Sequence, residues 1–524
     1  MRYYLLILFI ISQIIAVGQA RPTPGVSVVV PTIAQVGAAR LPHNITKVKA
    51  PFAMPDFKKP VFPALWLSIT DKGAKQNIKS TKAIQAAIDE VSSKGGGTVS
   101  VPVGIWQTGR ISLKSNVNLH LDDGAELHFS GDAEDYLPVV FTRTEGVEVM
   151  SFGALIYANG QENIALSGNG KLVGPAAGGS ITRGTGNSDS IPVQTPVSQR
   201  VYDGQNGSAT FLPMFISPIN CKKVYIEGIS LSNTPFWNIV PVYCDGVIIR
   251  GVTVNSVGIP RGDGIDIESS RNVLIEYCTL NCGDDCFTIK AGRGEDGLRV
   301  NKPSENIVVR FCLAQQGHGG ITCGSETAAM IRNLYVHDCV FNQTDVGVRF
   351  KTRRPRGGGG EDLTYERIRM NLRKEAFHFD MLGSARYVAG EAVRLPARTV
   401  GRLTPKYRNV VARDIIVENA RMFVNIQGIP ESPVINFLVE NADVKSQKIF
   451  AAADARDITI RNAVITSAES VITSLDSRNI LFDNVKFNTP DGKVVKQVTG
   501  DLPDGFRFLK CSPGKVENLS ETRK

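Results

Sequence analysis

Apolar and polar residues alternate with a period of two over most of the chain from residue 98 onward. That period is the mark of strands whose side chains point alternately to opposite faces. Ten runs share one longer pattern: an apolar-x-apolar triplet, a short polar bend, and a second apolar alternation. They begin at Val224 (VYIEGISLS), Val247, Val273, Ile307, Leu334, Leu363, Val410, Phe437, Ile458 and Ile480. Most starts are roughly 20 to 30 residues apart, with longer steps where a loop intervenes. Each run reads as strand, bend, strand, which is one coil of a solenoid. A sandwich needs hairpin turns and a propeller needs four strands per repeat, so neither holds one register through all these runs. The pattern predicts an all-β right-handed parallel β-helix, the hand following from the general crossover preference.

Residues 80–91 (STKAIQAAIDEV) give the best helical signal. Ser80 or Thr81 is expected to cap it, and Ala83, Ile84, Ala87, Ile88 and Val91 form one apolar stripe. A short N-terminal helix there is expected to cap the first coil, because an exposed sheet end invites aggregation. Two stretches lack the period, 178–207 and 374–408, and are expected to be loops that wall a groove. Residues 1–20 read as a signal peptide: Arg2, an apolar run over 5–17, and a small residue at Ala20. The run is short for a membrane span, so a secreted or periplasmic protein with no membrane span is expected. The expected division is therefore signal 1–20, Pro-rich strap or linker 21–63, β-helix 64–490 and polar tail 491–524.

The formal charge of +9 suits nucleic acid, an anionic surface or an acidic polysaccharide as partner. No nucleic-acid motif is present, and the basic residues are scattered apart from a cluster at 351–356. Nine cysteines are an odd number for a disulfide framework. Cys278, Cys312 and Cys339 hold the same place in successive repeats, which is expected of a buried column of free thiols. Cys282 and Cys286 flank Asp284 and Asp285, but no second pair completes a zinc site, so no metal or cofactor is expected.

Four short phrases carry the candidate chemistry: RGDGIDIESS (261–270), CGDDCFTIK (282–290), GHGGITCGSE (317–326) and TDVGVRFKT (344–352). Aligning Ile265/Ile267 with Phe287/Ile289, Ile321/Cys323 and Val348/Phe350 sorts their polar residues into columns. Asp263 falls with Asp285, and Asp284 with His318. Asp266, Thr288, Thr322 and Arg349 make a third column; Glu268, Lys290, Gly324 and Lys351 a fourth. Stacked strands set column neighbours about 5 Å apart, so these groups are expected on one patch.

Three crowded carboxylates repel, so at least one is expected to hold a proton. A protonated carboxyl beside ionised ones supplies general acid and general base, which glycosidic hydrolysis needs. Asp285 is placed to share a water with Asp263, and Asp284 is the candidate acid. An aspartate ladder bonded to turn amides, or a calcium site, fits the same residues. Arg349 and Lys351, two apart on one strand, suit an anionic substrate's carboxylate, or else neutralise Asp266 and Glu268. His318 is placed to tune Asp284, and Gly317, Gly319 and Gly320 signal close backbone approach.

GDGID, GDDC, GHGG and RFK, in this order and spacing, resemble the polygalacturonases of glycoside hydrolase family 28. The resemblance runs from about Leu67 to about Val485. It implies a pectin-lyase-like solenoid that hydrolyses α-1,4 galacturonide bonds with inversion and without metal. By position it implies that Asp284 is the acid, that Asp263 and Asp285 activate water, and that His318 supports the acid. Arg349 and Lys351 then bind the galacturonate carboxylate. The family's usual Asn-Thr-Asp is here Arg261-Gly262-Asp263, its Arg-Ile-Lys is Arg349-Phe350-Lys351, and a usual tyrosine has no match in 376–382. The basic loop 353–360 resembles that of exo-acting bacterial relatives, and Arg353, Arg354 and Arg356 are expected to clamp a terminal uronate. A pectin-degrading, exo-acting hydrolase is expected, a monomer whose partner is an anionic polysaccharide. The alternatives are a hydrolase of rhamnogalacturonan or xylogalacturonan, a calcium-dependent pectate lyase, and a non-catalytic pectin-binding β-helix.

Overall fold

In the computed structural model, residues 28–514 and 516–519 are described. The expected signal segment and the first residues of the strap lie outside them. The chain forms a right-handed parallel β-helix. The ten repeat starts fall in one register, from Val224 beside Val247 through to Ile458 beside Ile480. Their apolar pairs point inward and stack coil on coil, each buried Ile, Leu or Val contributing about 1.5–3 kcal/mol. All nine cysteines are free, and Cys278, Cys312 and Cys339 are fully buried in that core.

Bends between strands put residues in the left-handed region, where asparagine is tolerated. Asn272, Asn306 and Asn333 have φ of 57°, 56° and 52° and stack at one corner. Each amide donates to the carbonyl oxygen of the asparagine one coil earlier, Asn306 to Asn272 and Asn333 to Asn306. The polar bend of each repeat is therefore a hydrogen-bonded ladder.

α1 (Thr81–Ser93) closes the first coil and buries Ile84, Ala87, Ile88 and Val91, while Ala83 is only half-buried. Neither expected hydroxyl caps it. Ser80 donates instead to the carbonyls of Lys75 and Ile78, and Thr81 accepts from the Gly109 amide.

Residues 41–63 run along the outside of the first coils. Phe57 joins Tyr225, Ile248, Leu274, Val308 and Tyr335, with Ile45, Val48, Phe52 and Phe62 packed against them. This explains why the middle residue of VIIR, VLIE and IVVR is apolar: it faces outward under the strap. Arg250 and Arg310 pin it, donating to the carbonyls of Pro42 and Thr46 while pairing with the buried Glu276.

Two expected boundaries move. The strands Val494–Thr499, Phe506–Leu509 and Val516–Asn518 extend the ladder, so coils continue into the stretch read as a tail. Their polar outer faces hide the pattern. The break expected at 374 comes later, because Glu375–Asp380 is a strand of the stack and the loop proper follows it. Among the described residues no helix is long and apolar enough to cross a membrane.

Candidate active site

Five strands carry the site: β1 (Ile265–Glu268), β2 (Phe287–Lys290), β3 (Leu313–Gly324), β4 (Ile331–Lys351) and β5 (Glu375–Asp380). Ile265, Phe287, Ile321, Val348 and Phe377 pair in sequence along the stack and point inward. The opposite face carries Asp266, Thr288, Thr322, Arg349 and His378, and beside them Lys290, Lys351 and Asp380. The columns read from the phrases are therefore the columns of the fold.

The bends entering β1 and β2 hold the carboxylates. The Gly264 amide donates to the Asp285 carbonyl at 3.0 Å, and the His318 amide to the Asp284 carbonyl at 2.9 Å. One carboxylate oxygen each from Asp263, Asp284 and Asp285 lies within 4.8 Å of the other two. The close backbone approach signalled by the glycines is made by the protein itself. A Cβ on Gly319 would stand 2.7 Å from an Asp285 oxygen, and one on Gly317 2.7 Å from the Asp284 carbonyl oxygen.

The three differ in environment. Asp263 and Asp285 are buried, with side chains 5% and 1% exposed, while that of Asp284 is 25% exposed. Burial, then the charges of Asp266 and Asp284, push the Asp263 carboxyl well above the usual range. Asp284 goes the other way. Burial would raise it, but the His318 hydrogen bond and the Lys351 charge outweigh this and lower it to about 2. His318 Nδ1 lies 2.9 Å from Asp284 Oδ1, and that bond raises the histidine in turn. The surroundings thus favour the proton on Asp263 and the anion on Asp284, the candidate acid.

Cations surround the trio. Arg349 lies 4.0 Å and Lys351 3.8 Å from Asp285, and Arg349 also reaches Asp380 at 3.5 Å. Lys290, visible in the fourth column but given no role from sequence, is buried at the centre. Its ammonium lies 3.8 Å from Asp263, 3.4 Å from Asp266 and 3.3 Å from Glu326, over the face of Trp237. Burial opposes its charge, but Glu326, Asp266 and Asp263 hold its pKa well above the ordinary value. Lys290 answers Asp266, and Arg143 is the leading cation acting on Glu268. Arg349 and Lys351 are therefore not committed to those two acids. With these cations at hand the carboxylates' charge is largely answered, an unfavourable setting for calcium, which takes six to eight oxygens.

The basic loop divides. Arg354 donates from Nε and one terminal nitrogen to the carboxylate of Glu431, whose side chain is buried. This sets Arg354 apart from its expected place in a substrate clamp: the charge-assisted pair with Glu431 ties its guanidinium to the protein. Arg353 and Arg356 stay near the cleft, Arg353 3.8 Å from Asp189 and Arg356 3.5 Å from Glu326.

A cleft of about 1040 Å³ lies between the inserted loop and the bend that leads into Asp263. The insertion forms one wall, including Arg183, Asn187 and Asp189, and the bend at Ile259–Arg261, two residues before Asp263, forms another; Tyr387 of the second loop closes an edge. The insertion is anchored by Arg200, whose buried guanidinium pairs with Asp296 at 2.8 Å. His378, next to Arg349 in the stack, falls in the segment where no tyrosine was found.

The chain is similar to known proteins over most of its length. The sequence model for "Glycosyl hydrolases family 28" matches residues 98–452. A probable polygalacturonase of Vitis vinifera is 29% identical over 376 residues, covering 70% of this chain and 71% of that protein. The exo-poly-alpha-D-galacturonosidase of Dickeya chrysanthemi is 26% identical over 463 residues, 82% of this chain and 75% of its own length. The crystal structure of a hyperthermoactive exopolygalacturonase from Thermotoga maritima is 30% identical with a TM-score of 0.66, covering 75% of this chain and 90% of that one.

Proposed function

The chain belongs to glycoside hydrolase family 28 and is a glycoside hydrolase, and on that footing we propose that it hydrolyses α-1,4 galacturonide bonds of polygalacturonate from the chain end. The observation that carries this reading is the trio: three carboxylates within 4.8 Å of one another, with Arg349 and Lys351 within 4.0 Å of Asp285. The trio supplies acid and base, and the two cations suit a uronate carboxylate.

Asp284 is assigned as general acid because it alone of the three has a side chain partly open to solvent. A substrate carboxylate on Lys351 and Arg349 cancels part of the charge that lowers Asp284, and exclusion of water raises the cost of its anion. The shared proton then moves from Asp263 to Asp284. Asp284 gives it to the leaving glycosidic oxygen as that bond breaks. Water adds its oxygen to the anomeric carbon and its proton to the Asp263/Asp285 pair, so the trio ends with the proton count it began with. His318 positions Asp284 and does not itself touch the sugar.

We assign single displacement with inversion, as the family resemblance implies. The trio is closer than the roughly 6.5–9.5 Å usual for inverting pairs, so the anomer formed first, read by NMR, is the deciding measurement. Exo action rests on the walled cleft and on the likeness to proteins named exopolygalacturonase and exo-poly-alpha-D-galacturonosidase. Export, secreted or periplasmic, rests on the apolar run over 5–17. Chromatography of a polygalacturonate digest tests the whole. Only mono- or digalacturonate early in the digest supports it. A ladder of oligomers refutes exo action, an unsaturated product indicates a lyase, and no product at all sinks the polygalacturonate reading.

A further inference from the structure

The strand of contacts from the trio leads to a second cationic centre. Lys290, beside Asp263, shares Glu326 with Arg356: Glu326 lies 3.3 Å from the lysine and 3.5 Å from the arginine. Around Arg356 stand Arg353 and Arg293. Burial and then the Arg356 charge lower the pKa of both. Arg293 enters from the turn after β2, a position with no role in the sequence reading. The three guanidiniums are nearly buried, with side chains 8%, 11% and 10% exposed for Arg356, Arg353 and Arg293. Arg356 also has a buried nitrogen, Nη1, with no hydrogen-bond partner. Three buried cations face Glu326, which Lys290 shares, Glu145, 4.0 Å from Arg293, and Asp189. Glu145 is itself engaged by Ser188 and Arg261.

Asp189 differs from the other two acids. It is carried by the inserted loop, its side chain is 52% exposed, and it lines the cleft. Its two carboxylate oxygens lie 3.1 Å from Arg293 and 3.8 Å from Arg353. Arg293 also donates to the hydroxyl and the carbonyl of Ser188 in the same loop, and Asp189 offers the arginines the same group that a uronic acid carries. Its exposure leaves the carboxylate screened by solvent, which makes the bond exchangeable.

Resting on the polygalacturonate reading above and on the expected terminal-uronate clamp of Arg353 and Arg356, we propose that Arg293 completes that carboxylate site, and that Asp189 of the inserted loop competes for it and yields to substrate. The site selects a charged chain end, and the loop's own carboxylate sets the threshold for entry. Tyr387, which lines the cleft and lies under the Arg353 guanidinium at 5.6 Å, is placed to hold that arginine's plane toward the incoming group.

The test uses trigalacturonate and an analogue whose non-reducing terminal uronate is methyl-esterified. Binding is measured by calorimetry in the full chain carrying Asp284→Asn, so that turnover is not needed. Added Arg293→Gln should weaken trigalacturonate by about ten- to a hundredfold, the scale of a lost charge-assisted bond, with the esterified analogue changed by less than about threefold. Arg293→Lys should recover part of the loss. Asp189→Ala should tighten trigalacturonate several-fold and leave the analogue unchanged. Equal losses on both ligands, or tighter binding of neither by Asp189→Ala, would overturn the proposal by making these residues merely structural. Wild-type inactivity on polygalacturonate would instead sink the polygalacturonate reading, and the calorimetry would still decide the carboxylate site.

Discussion

His318 Nδ1 lies 2.9 Å from Asp284 Oδ1, joining two coils across a sequence separation of 34 residues. The bond moves both groups, lowering Asp284 to about 2 and raising His318. A raised histidine stabilises the fold below its unfolded pKa, and that stability is lost as pH rises through the folded value. A lowered aspartate stabilises above its unfolded pKa and loses this as pH falls through about 2. The pair is therefore fully stabilising from about pH 5 to just below the ordinary histidine value of about 6.5. For His318→Asn, the thermal midpoint should fall furthest below wild type at pH 5 to 6 and converge with it at alkaline pH. The side chain is 53% exposed, so the effect is small. A midpoint difference that does not vary with pH would contradict this coupling.

Asp284→Asn keeps the shape and removes the transferable proton. Reducing-end release from polygalacturonate should fall at least about a hundredfold, the usual scale of general acid catalysis. The melting temperature should fall only slightly, by the small stabilisation that the His318 pair gives. Turnover within a few-fold of wild type would move the acid to another residue.

Lys290→Met takes away the one ammonium shared by Asp263, Asp266 and Glu326. Breaking a buried pair on one side costs about 3–5 kcal/mol. Asp266, already raised to about 7, and Asp263 then hold protons to still higher pH. The native state binds more protons than the unfolded chain, so stability falls as pH rises. The midpoint deficit should be larger at pH 8 than at pH 5. A deficit that shrinks with rising pH would show that Lys290 does not neutralise these acids.

Arg354→Ala separates fold from function in the basic loop. Arg354 serves Glu431, so the variant should lose about 3–5 kcal/mol in denaturant unfolding while the folded fraction keeps its KM. A raised KM at unchanged stability would return Arg354 to the substrate.

Gly319→Ala places a methyl where an Asp285 oxygen is 2.7 Å away and the Thr322 hydroxyl 2.2 Å away. Displacing a positioned carboxylate by an ångström costs about a hundredfold in rate. The measured kcat should drop steeply with little change in melting temperature, and an unchanged kcat would mean that Asp285 tolerates the shift.

The repeat pattern alone was enough to predict the solenoid, its inward apolar columns and the meeting of Asp263, Asp284, Asp285, His318, Arg349 and Lys351. A parallel stack with a two-residue period carries register in local sequence, so aligning short phrases is aligning space. The partners that no period relates were decided only in three dimensions. Arg354 bends back to Glu431, 77 residues on, Arg293 meets Asp189 from a loop inserted far upstream, and Lys290 finds Glu326 beneath it. Which carboxyl holds the proton also lay beyond the sequence, because burial and neighbouring charge set it, and both depend on loops whose paths obey no repeat.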